Sequence, residues 1–296
     1  MTQAWQDWLA GRRPFILAPG VYDGLTAKIA GSIGFDALYM TGFGTAASLG
    51  MPDVGLATLT EMAANVARVV EASGLPVIAD ADTGYGNPLN VQRTVRAYQR
   101  AGAVALHLED QAFPKKCGFF EGKRLIPAAE HVQKIKAACD ARTSDDFVII
   151  ARTDALAVTG WNDVADRVNA YREAGADLIF VDGIKTRADL DGYVERIVRP
   201  GLPALYNGAL VPASEAEALG FRVQILPGAA LQAAFQAIRS ALQTVKDTGQ
   251  QPAVASDAAI TPGAARPASS AGLGSITDVL GLPAVYDLER RYAVTS

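Results

Sequence analysis

The stretch that decides the fold is AVALHLEDQAFPKKCGFFEGKR, residues 103–124. It begins as a short apolar run, ends that run on Glu109 and Asp110, and continues into a polar connection with paired lysines, a cysteine and two glycines. Comparable apolar runs, mostly without polar–apolar alternation, recur at FILAPG (15–20), FDALYM (35–40), LPVIAD (75–80), FVIIAR (147–152), DLIFVD (177–182), PALYN (203–207) and FRVQIL (221–226). Such runs are typical of strands buried on both faces of a parallel sheet.

Segments with the apolar spacing of helices lie between these runs, at 60–74, 90–102 and 164–175. Several helical segments end in a glycine directly before the next strand, as helices often do: Gly34, Gly74, Gly102, Gly175 and Gly220. An alanine-rich segment at 229–247 completes the eighth strand–helix unit. Eight alternating units predict an α/β fold, a (β/α)₈ TIM barrel, rather than a doubly wound sheet, because no glycine-rich dinucleotide motif follows any strand.

The composition changes beyond the last predicted barrel helix. We predict a barrel domain over residues 1–250, a linker rich in Ala, Pro and Ser over 251–272, and a C-terminal helical tail over 273–296. A terminal helix after a long connection can pack on a partner subunit or on its own barrel, and we slightly favour the partner.

Composition and charge exclude several classes of protein. Of the 296 residues, 50% are hydrophobic and 20% charged, with a net charge of −4. This composition predicts a large core, and the charge gives no indication of a surface that binds nucleic acid or a membrane. The N-terminus lacks the apolar core of a signal peptide, and no run reaches transmembrane length. Cys117 and Cys139 are the only cysteines, so we expect no disulfide framework and a cytoplasmic location.

In a barrel of this type, chemistry takes place at the carboxyl ends of the strands. Six of the predicted strands end on a polar or charged residue: Thr41, Asp80, Glu109, Arg152, Asp182 and Asn207. Any one of them could simply be the polar start of a loop. As a set, with three carboxylates and an arginine, they predict a site where the strand ends meet.

A group of carboxylates predicts a metal site there. Asp80 and Asp82 are two residues apart, so both point the same way in an extended chain, and Glu109 ends the next strand. Three carboxylates this close repel one another unless a cation neutralises them, and oxygen ligands suit Mg²⁺ or Mn²⁺. Helix capping by the aspartates is the alternative.

Cys117 lies in the polar connection after Glu109, next to Lys115 and Lys116. With no histidine nearby, a protease-like nucleophile is not expected, but a thiol can deliver a proton as a general acid. A lone cysteine in a basic surface loop is the alternative. For the two histidines and the second cysteine, we expect a buried, hydrogen-bonded role for His107, a surface position for His131 and a core position for Cys139.

Five motifs together resemble the isocitrate lyase/phosphoenolpyruvate mutase superfamily, nearest to methylisocitrate lyases and the 2-alkylmalate lyases of the dimethylmalate type. They are YMTGFGTAASLGMPDVG (39–55), VIADADTGYGN (77–87), LHLEDQ (106–111), KKCG (115–118) and ARTDA (151–155). The resemblance implies a TIM barrel whose eighth helix is exchanged between subunits, in a homotetramer built as a dimer of dimers. Either the helix after Leu226 or the C-terminal tail could be the exchanged element.

The resemblance also implies roles for individual residues. Asp80 would bind Mg²⁺ directly, and Asp53, Asp82 and Glu109 would hold its waters. Tyr39 would lie beside the oxygen that loses its proton, Arg152 would pair with the carboxylate of an α-keto acid, and Cys117 would lie on a gating loop. The further residues expected to bind substrate are Thr41, Gly42, Phe43, Lys116, Gly118, Asp182 and Asn207.

Three departures from the family pattern narrow the range of expected substrates. Phe119 stands where lyases of tricarboxylates have a histidine, Asp182 replaces a glutamate, and Gln232 aligns with an arginine that methylisocitrate lyases use for the distal carboxylate. The resemblance therefore implies Mg²⁺-dependent retro-aldol cleavage of a small 2-hydroxy dicarboxylate to an α-keto acid and a second carboxylate. The alternatives are an oxaloacetate decarboxylase or hydrolase, a carbon–phosphorus enzyme of the phosphonopyruvate type, against which Cys117 argues, and a silent keto-acid-binding paralogue.

Overall fold

Eight parallel strands close into a barrel in chain order. The structure is a computed structural model that describes residues 2–118, 120–252 and 276–293. The strands are β1 Ile16–Val21, β2 Leu38–Met40, β3 Val77–Asp80, β4 Ala105–Glu109, β5 Val148–Thr153, β6 Leu178–Val181, β7 Ala204–Asn207 and β8 Val223–Leu226. Pairing of β1 with β8, in which Ile16 lies opposite Val223, closes the sheet. The predicted TIM barrel is confirmed.

Helices surround the barrel and connect its strands. They are α1 Gln3–Leu9, α2 Gly24–Ile33, α3 Gly42–Ser48, α4 Leu59–Ser73, α5 Pro88–Arg100, α6 Ala128–Ala141, α7 Trp161–Glu173, α8 Arg187–Tyr193 (continued by a π-helical turn, Val194–Val198), α9 Ala213–Ala218, α10 Ala229–Thr248, α11 Ile276–Val279 and α12 Leu282–Arg291. The five glycines predicted to end helices all have left-handed φ angles, between 66° and 106°, which a side chain would strain.

The helix α1 lies across the amino-terminal end of the barrel. Trp5 and Trp8 stack on each other with ring centroids 4.8 Å apart, and both belong to the apolar cluster inside the barrel. The indole N–H of Trp8 donates to the Arg222 carbonyl, at the start of β8, over 3.0 Å. The Arg222 guanidinium donates back to the Trp8 carbonyl over 2.8 Å. The short leader helix thus closes the end of the barrel opposite the strand ends that carry polar residues.

One expectation for the outer layer is wrong. His131 was expected at the surface, but it is fully buried, and its ring lies 4.6 Å from the Tyr171 ring. His131 precedes the buried Ile135 by four residues. Residues at this spacing lie on the same face of a helix, so both side chains are on the face of α6 that packs against the barrel. Cys139, expected in the core, is half-buried on the same helix.

The C-terminal helices leave much apolar surface uncovered. No residue of α10 or α12 is buried, and α10 exposes four large apolar side chains, Phe235, Ile238, Leu242 and Val245. The helix α11 contacts α2 of the same barrel. Residues 253–275, which hold most of the predicted linker, lie outside the described residues, and no helix among the described ones is long and apolar enough to cross a membrane.

Because Trp5 is fully buried inside the barrel end, Trp5→Ala should lower the free energy of unfolding by about 3–5 kcal/mol. Trp5→Phe should cost much less, since it refills most of the space and removes an indole N–H that has no hydrogen-bond partner. Chemical denaturation measures both. The exposed Gln3→Ala on the same helix is the control, with a change within about 0.5 kcal/mol. Equal stability of Trp5→Ala and the natural protein would contradict this role of α1.

Candidate active site

A cavity of about 360 Å³ opens at the carboxyl ends of the strands. Five of the six predicted strand-end residues line it: Thr41, Asp80, Arg152, Asp182 and Asn207. The sixth, Glu109, is buried at the end of β4, with a carboxylate oxygen 3.3 Å from Arg152 Nε. The predicted convergence of polar strand ends on one site is therefore present in the structure.

The expected metal-binding carboxylates lie together under one side of the cavity. None is more than 6% exposed: Asp53, Asp80, Asp82 and Glu109. Burial raises the pKa of Asp82 to about 6, and Asp80 and Asp53 add to the rise. Burial also raises the pKa of Glu109 well above its usual value. For Asp80 the nearby positive groups outweigh burial, and its pKa lies below the usual range.

Lys115 supplies the positive charge inside this carboxylate group. Its side chain is 3% exposed, and its ammonium contacts the carboxylate of Asp53 and lies 2.6 Å from Asp82 Oδ1. Burial opposes the charge, but Asp82 and the other carboxylates outweigh it and raise the pKa of Lys115. Lys115 was not among the predicted site residues. The KKCG motif pointed to this pair of lysines, but nothing in it separates Lys115 from Lys116.

The carboxylate group suits a small divalent cation. Glu109 Oε1 is buried and accepts no hydrogen bond from the described residues, whereas Asp82 Oδ1 is paired with the Lys115 ammonium 2.6 Å away. Unused carboxylate lone pairs are ligands that Mg²⁺ prefers. Within the described residues, no three acidic, cysteine or histidine side chains could ligate one ion together. These side chains remain compatible with Mg²⁺, because this ion usually keeps several waters and binds through one or two carboxylates.

Tyr39 joins the carboxylate group to the barrel interior. Its hydroxyl lies 2.9 Å from His107 Nε2 and donates to Asp80 Oδ2 over 3.2 Å. Burial raises the pKa of Tyr39 well above its usual value and lowers the pKa of His107 to about 4. At neutral pH the phenol is therefore protonated and the imidazole is neutral. His107 has the buried, hydrogen-bonded role that was expected, although its Nδ1 has no partner.

The segment expected to bind a keto-acid carboxylate begins α3. Thr41 and Phe43 line the cavity, whereas the Gly42 N–H donates to Asp80 Oδ2 over 3.2 Å. A Cβ atom on Gly42 would overlap the Asp80 carboxylate. The missing side chain thus lets the backbone approach Asp80 closely.

Arg152 is a second buried cation of the site, next to Glu109. Its Nε donates to Asp154 Oδ2 over 3.0 Å, and its NH2 lies 3.3 Å from Asp182 Oδ2. The guanidinium also stacks over the Phe180 ring at 5.1 Å. Asn207 Nδ2 donates to the other oxygen of Asp182 over 3.0 Å. Arg152 is thus held in place by its neighbours while it faces the cavity.

We call the described residues 115–118 and 120–124 the gate, after the gating loop that the family resemblance implies here. Cys117 is buried, lines the cavity with Gly118, and its backbone N–H donates to the Asp53 carbonyl over 3.0 Å. Lys116 does not line the cavity, since its ammonium donates to the Glu121 carbonyl. Its backbone N–H and carbonyl are both bound by the Gln111 side chain. Phe119 lies outside the described residues.

The part of the cavity wall formed by the segment after β7, the end of β8 and the start of α10 is largely apolar, and we call it the far end. It is lined by Ala209, Leu226, Pro227 and Ala229, with Gln232 as a polar neighbour. Lys115, Lys123 and Asp154 are buried ionic residues of the site that were not predicted. Asp154 is part of the ARTDA motif, which signalled its importance but not its partner.

Comparisons with known proteins identify the family of the chain. Residues 7–246 match the model of the phosphoenolpyruvate phosphomutase family. The chain is 41% identical to a 2,3-dimethylmalate lyase of Eubacterium barkeri, over 99% of this chain and 98% of the relative. It is 43% identical to a chloroplastic carboxyvinyl-carboxyphosphonate phosphorylmutase of Arabidopsis thaliana, over 79% of this chain and 71% of the relative.

Solved structures extend the likeness to the whole chain. The structure of an oxaloacetate acetylhydrolase in complex with the inhibitor 3,3-difluorooxalacetate is similar with a TM-score of 0.87. That protein is 35% identical, and the match covers 99% of this chain and 97% of the other. The match to the family model and the similarity to the lyase both confirm the predicted membership. The chain belongs to the phosphoenolpyruvate mutase/isocitrate lyase superfamily.

Proposed function

We propose that the protein is a Mg²⁺-dependent carbon–carbon lyase that cleaves a small 2-hydroxy dicarboxylate of the 2-alkylmalate class. The products are an α-keto acid and a second carboxylate. The observation that carries the proposal is one cavity lined by Asp80, Arg152 and Cys117 at its polar end and by apolar side chains at its far end. The similarity to a 2,3-dimethylmalate lyase over nearly the whole chain supports the same class.

The four buried carboxylates are the proposed site for Mg²⁺, with Mn²⁺ as a possible substitute. Asp80 would bind the ion directly, and Asp53, Asp82 and Glu109 would bind its waters. A bound ion would polarise substrate oxygens as a Lewis acid. The buried Glu109 Oε1, which accepts no hydrogen bond from the described residues, supports this assignment.

The side chains around the cavity supply binding and proton transfer. Arg152 pairs with the carboxylate next to the hydroxyl-bearing carbon, and the backbone at Thr41 and Phe43 binds the same end, with Gly118, Asp182 and Asn207 around it. We keep Lys116 as a substrate-binding proposal, although its side chain points away from the cavity in this structure.

In the proposed reaction, the substrate hydroxyl loses its proton to Tyr39, whose own phenol proton passes on to His107 Nε2, 2.9 Å away, or the hydroxyl loses its proton to another neighbouring base. The C2–C3 bond then breaks, and its electron pair passes into the leaving carboxylate as an enediolate. The hydroxyl-bearing carbon becomes the keto carbon of the α-keto acid. Cys117 gives its thiol proton to the carbanion carbon, which completes the second carboxylate.

The apolar far end favours an alkyl substituent over a third carboxylate. Leu226, Pro227 and Ala209 offer no hydrogen-bonding side chain there, and burying a carboxylate without a partner is costly. Gln232 can donate hydrogen bonds but carries no charge. Isocitrate and methylisocitrate are therefore poorer candidates than a dialkyl malate.

Oxaloacetate hydrolysis or decarboxylation is the second candidate. It is supported by the similarity of the structure to an oxaloacetate acetylhydrolase, since this reaction uses the same binding of an α-keto acid. Carbon–phosphorus chemistry of the phosphonopyruvate type is less well supported, because phosphonate mutases of the superfamily lack the cysteine at position 117. A silent keto-acid-binding paralogue is the remaining alternative, and it predicts binding without turnover.

We also propose that the protein is a cytoplasmic homo-oligomer, a dimer of dimers in which a C-terminal helix is exchanged. Exposed Phe235, Ile238, Leu242 and Val245 on α10 support contact with a second subunit, because monomers rarely expose so many apolar residues on one helix. The helix α12 is the other candidate for exchange. Light scattering on the intact chain tests the assembly, and a monomer would contradict it.

Incubation of the protein with Mg²⁺ and 2,3-dimethylmalate should yield pyruvate and propionate, because cleavage between C2 and C3 leaves one methyl group on each fragment. NMR identifies both products. Addition of EDTA should abolish turnover, and excess Mg²⁺ should restore it. Consumption of oxaloacetate alone would favour the second candidate, and binding without any turnover would indicate a silent paralogue.

Cys117→Ser should lower kcat by a factor of about 10² to 10⁴ with little change in KM, because a positioned general acid contributes a factor of this size to the chemical step. Steady-state kinetics with the true substrate measures it. Cys139→Ser is the matched control, since Cys139 lies on α6, outside the cavity lining. Unchanged turnover of Cys117→Ser would remove this residue from the mechanism.

Gln232→Arg should raise kcat/KM for methylisocitrate relative to 2,3-dimethylmalate by about tenfold, because a charge-assisted hydrogen bond to the extra carboxylate becomes possible. Competition between the two substrates measures the ratio directly. Gln236→Arg, one turn further along α10 and outside the cavity lining, is the matched control. An unchanged ratio would show that position 232 does not face the distal substituent.

A further inference from the structure

A lysine in the second half of the gate connects this segment to the barrel. The Lys123 side chain is 3% exposed. Its ammonium donates to the Gly118 carbonyl and to Asp154 Oδ1, both over 2.8 Å, and lies 3.8 Å from Asp182 Oδ2. One buried cation therefore holds the two halves of the gate together and ties them to the residue that follows β5.

The barrel side of this connection is rigid. Asp154 is fully buried, and its backbone N–H donates to Asp110 Oδ1 over 3.0 Å. Asp110 is itself fixed by hydrogen bonds from the Thr153 and Tyr171 hydroxyls, each over 2.7 Å. Because these residues belong to β5, α7 and the end of β4, Asp154 is anchored to the barrel and not to the gate.

Asp154 also links the gate to the substrate-binding arginine. Arg152 donates to both of its oxygens, through Nε over 3.0 Å and NH2 over 3.2 Å, so Oδ1 is shared between Arg152 and Lys123. With the gate closed, Lys123 neutralises part of the charge of Asp154. Without Lys123, Asp154 would compete more strongly with a substrate carboxylate for the guanidinium of Arg152.

We propose that Lys123 is a positioning residue that latches the gate closed over the cavity, with Asp154 as its fixed acceptor. The hydrogen bond from Lys123 to the Gly118 carbonyl fixes the residue after Cys117, so the same latch positions the Cys117 thiol at the cavity wall. The inference deepens the proposed function and depends on it for the role of Cys117 as an acid. Gate closure itself can be measured without any turnover.

Alkylation of Cys117 by iodoacetamide in the intact protein reports opening of the gate, because this thiol is only 8% exposed in the closed state. Peptide mass spectrometry follows Cys117 and Cys139 in the same sample, so Cys139 reports general unfolding. Lys123→Met should raise the alkylation rate of Cys117 by about 10- to 100-fold, the effect expected for losing a buried charge-assisted hydrogen bond. The rate at Cys139 should not change.

A faster alkylation rate at Cys117 cannot come from the loss of the Lys123 charge itself. Removal of a nearby cation disfavours the thiolate, and this alone would slow alkylation. Lys116→Met is the matched control and should leave Cys117 protected, because the Lys116 ammonium donates to the Glu121 carbonyl within the gate and not to a described barrel residue. Lys123→Arg keeps the charge and should restore part of the protection.

An unchanged rate at Cys117 in Lys123→Met, or an equal rise at both cysteines, would overturn the latch. If the methionine variant does not fold, Lys123→Gln, which keeps a donor without a charge, gives the same test with an expected rise of about tenfold. Failure of all proposed substrates with normal protection of Cys117 would count against the lyase and leave the latch intact.

Discussion

Negative charge buried where the strands end is the constraint on which the rest of the site depends. Besides the fully buried Asp110, six carboxylates at this end of the barrel are at most 6% exposed: Asp53, Asp80, Asp82, Glu109, Asp154 and Asp182. Buried carboxylates are stable only with cations close by. Arg152 is the one cation that a barrel strand provides among these groups. Lys115 and Lys123 both come from the gate, so part of the buried negative charge is balanced by residues outside the barrel strands.

The two ends of the barrel differ in the side chains that they bury, which confines the buried charge to one end. At the amino-terminal end, Trp5 and Trp8 fill the interior with apolar surface, and α1 covers it. At the other end, short strands stop on polar residues whose backbones are fixed by the closed sheet. Loss of packing at the first end lowers stability, whereas changes at the second end alter charge and chemistry. This division is the usual one in barrels of this architecture.

The fold and most of the polar strand ends could be predicted because both depend on local pattern. Apolar runs that stop at Asp80, Glu109 and Arg152 give the strands and their ends directly. Ion pairs between residues that are far apart in the chain leave no such pattern in the sequence. Nothing local indicates that Lys123 reaches Asp154, 31 residues away, or that Lys115 rather than Lys116 enters the carboxylate group. His131 was misplaced for a related reason, because one residue at the start of a helix does not show which face is buried.

In the proposed function, reaction type and substrate choice depend on different parts of the cavity. The residues proposed to act on the reacting bond come from strand ends and the gate, where buried ion pairs and hydrogen bonds hold them. The far end comes from Leu226 at the end of β8, from Pro227 after it and from the first turn of α10. A substitution at Gln232 is therefore expected to change which distal substituent is accepted without disturbing Asp80 or Arg152. Because α10 also exposes Phe235, Ile238, Leu242 and Val245, the residues proposed to select the substrate lie on the same helix as the proposed subunit contact.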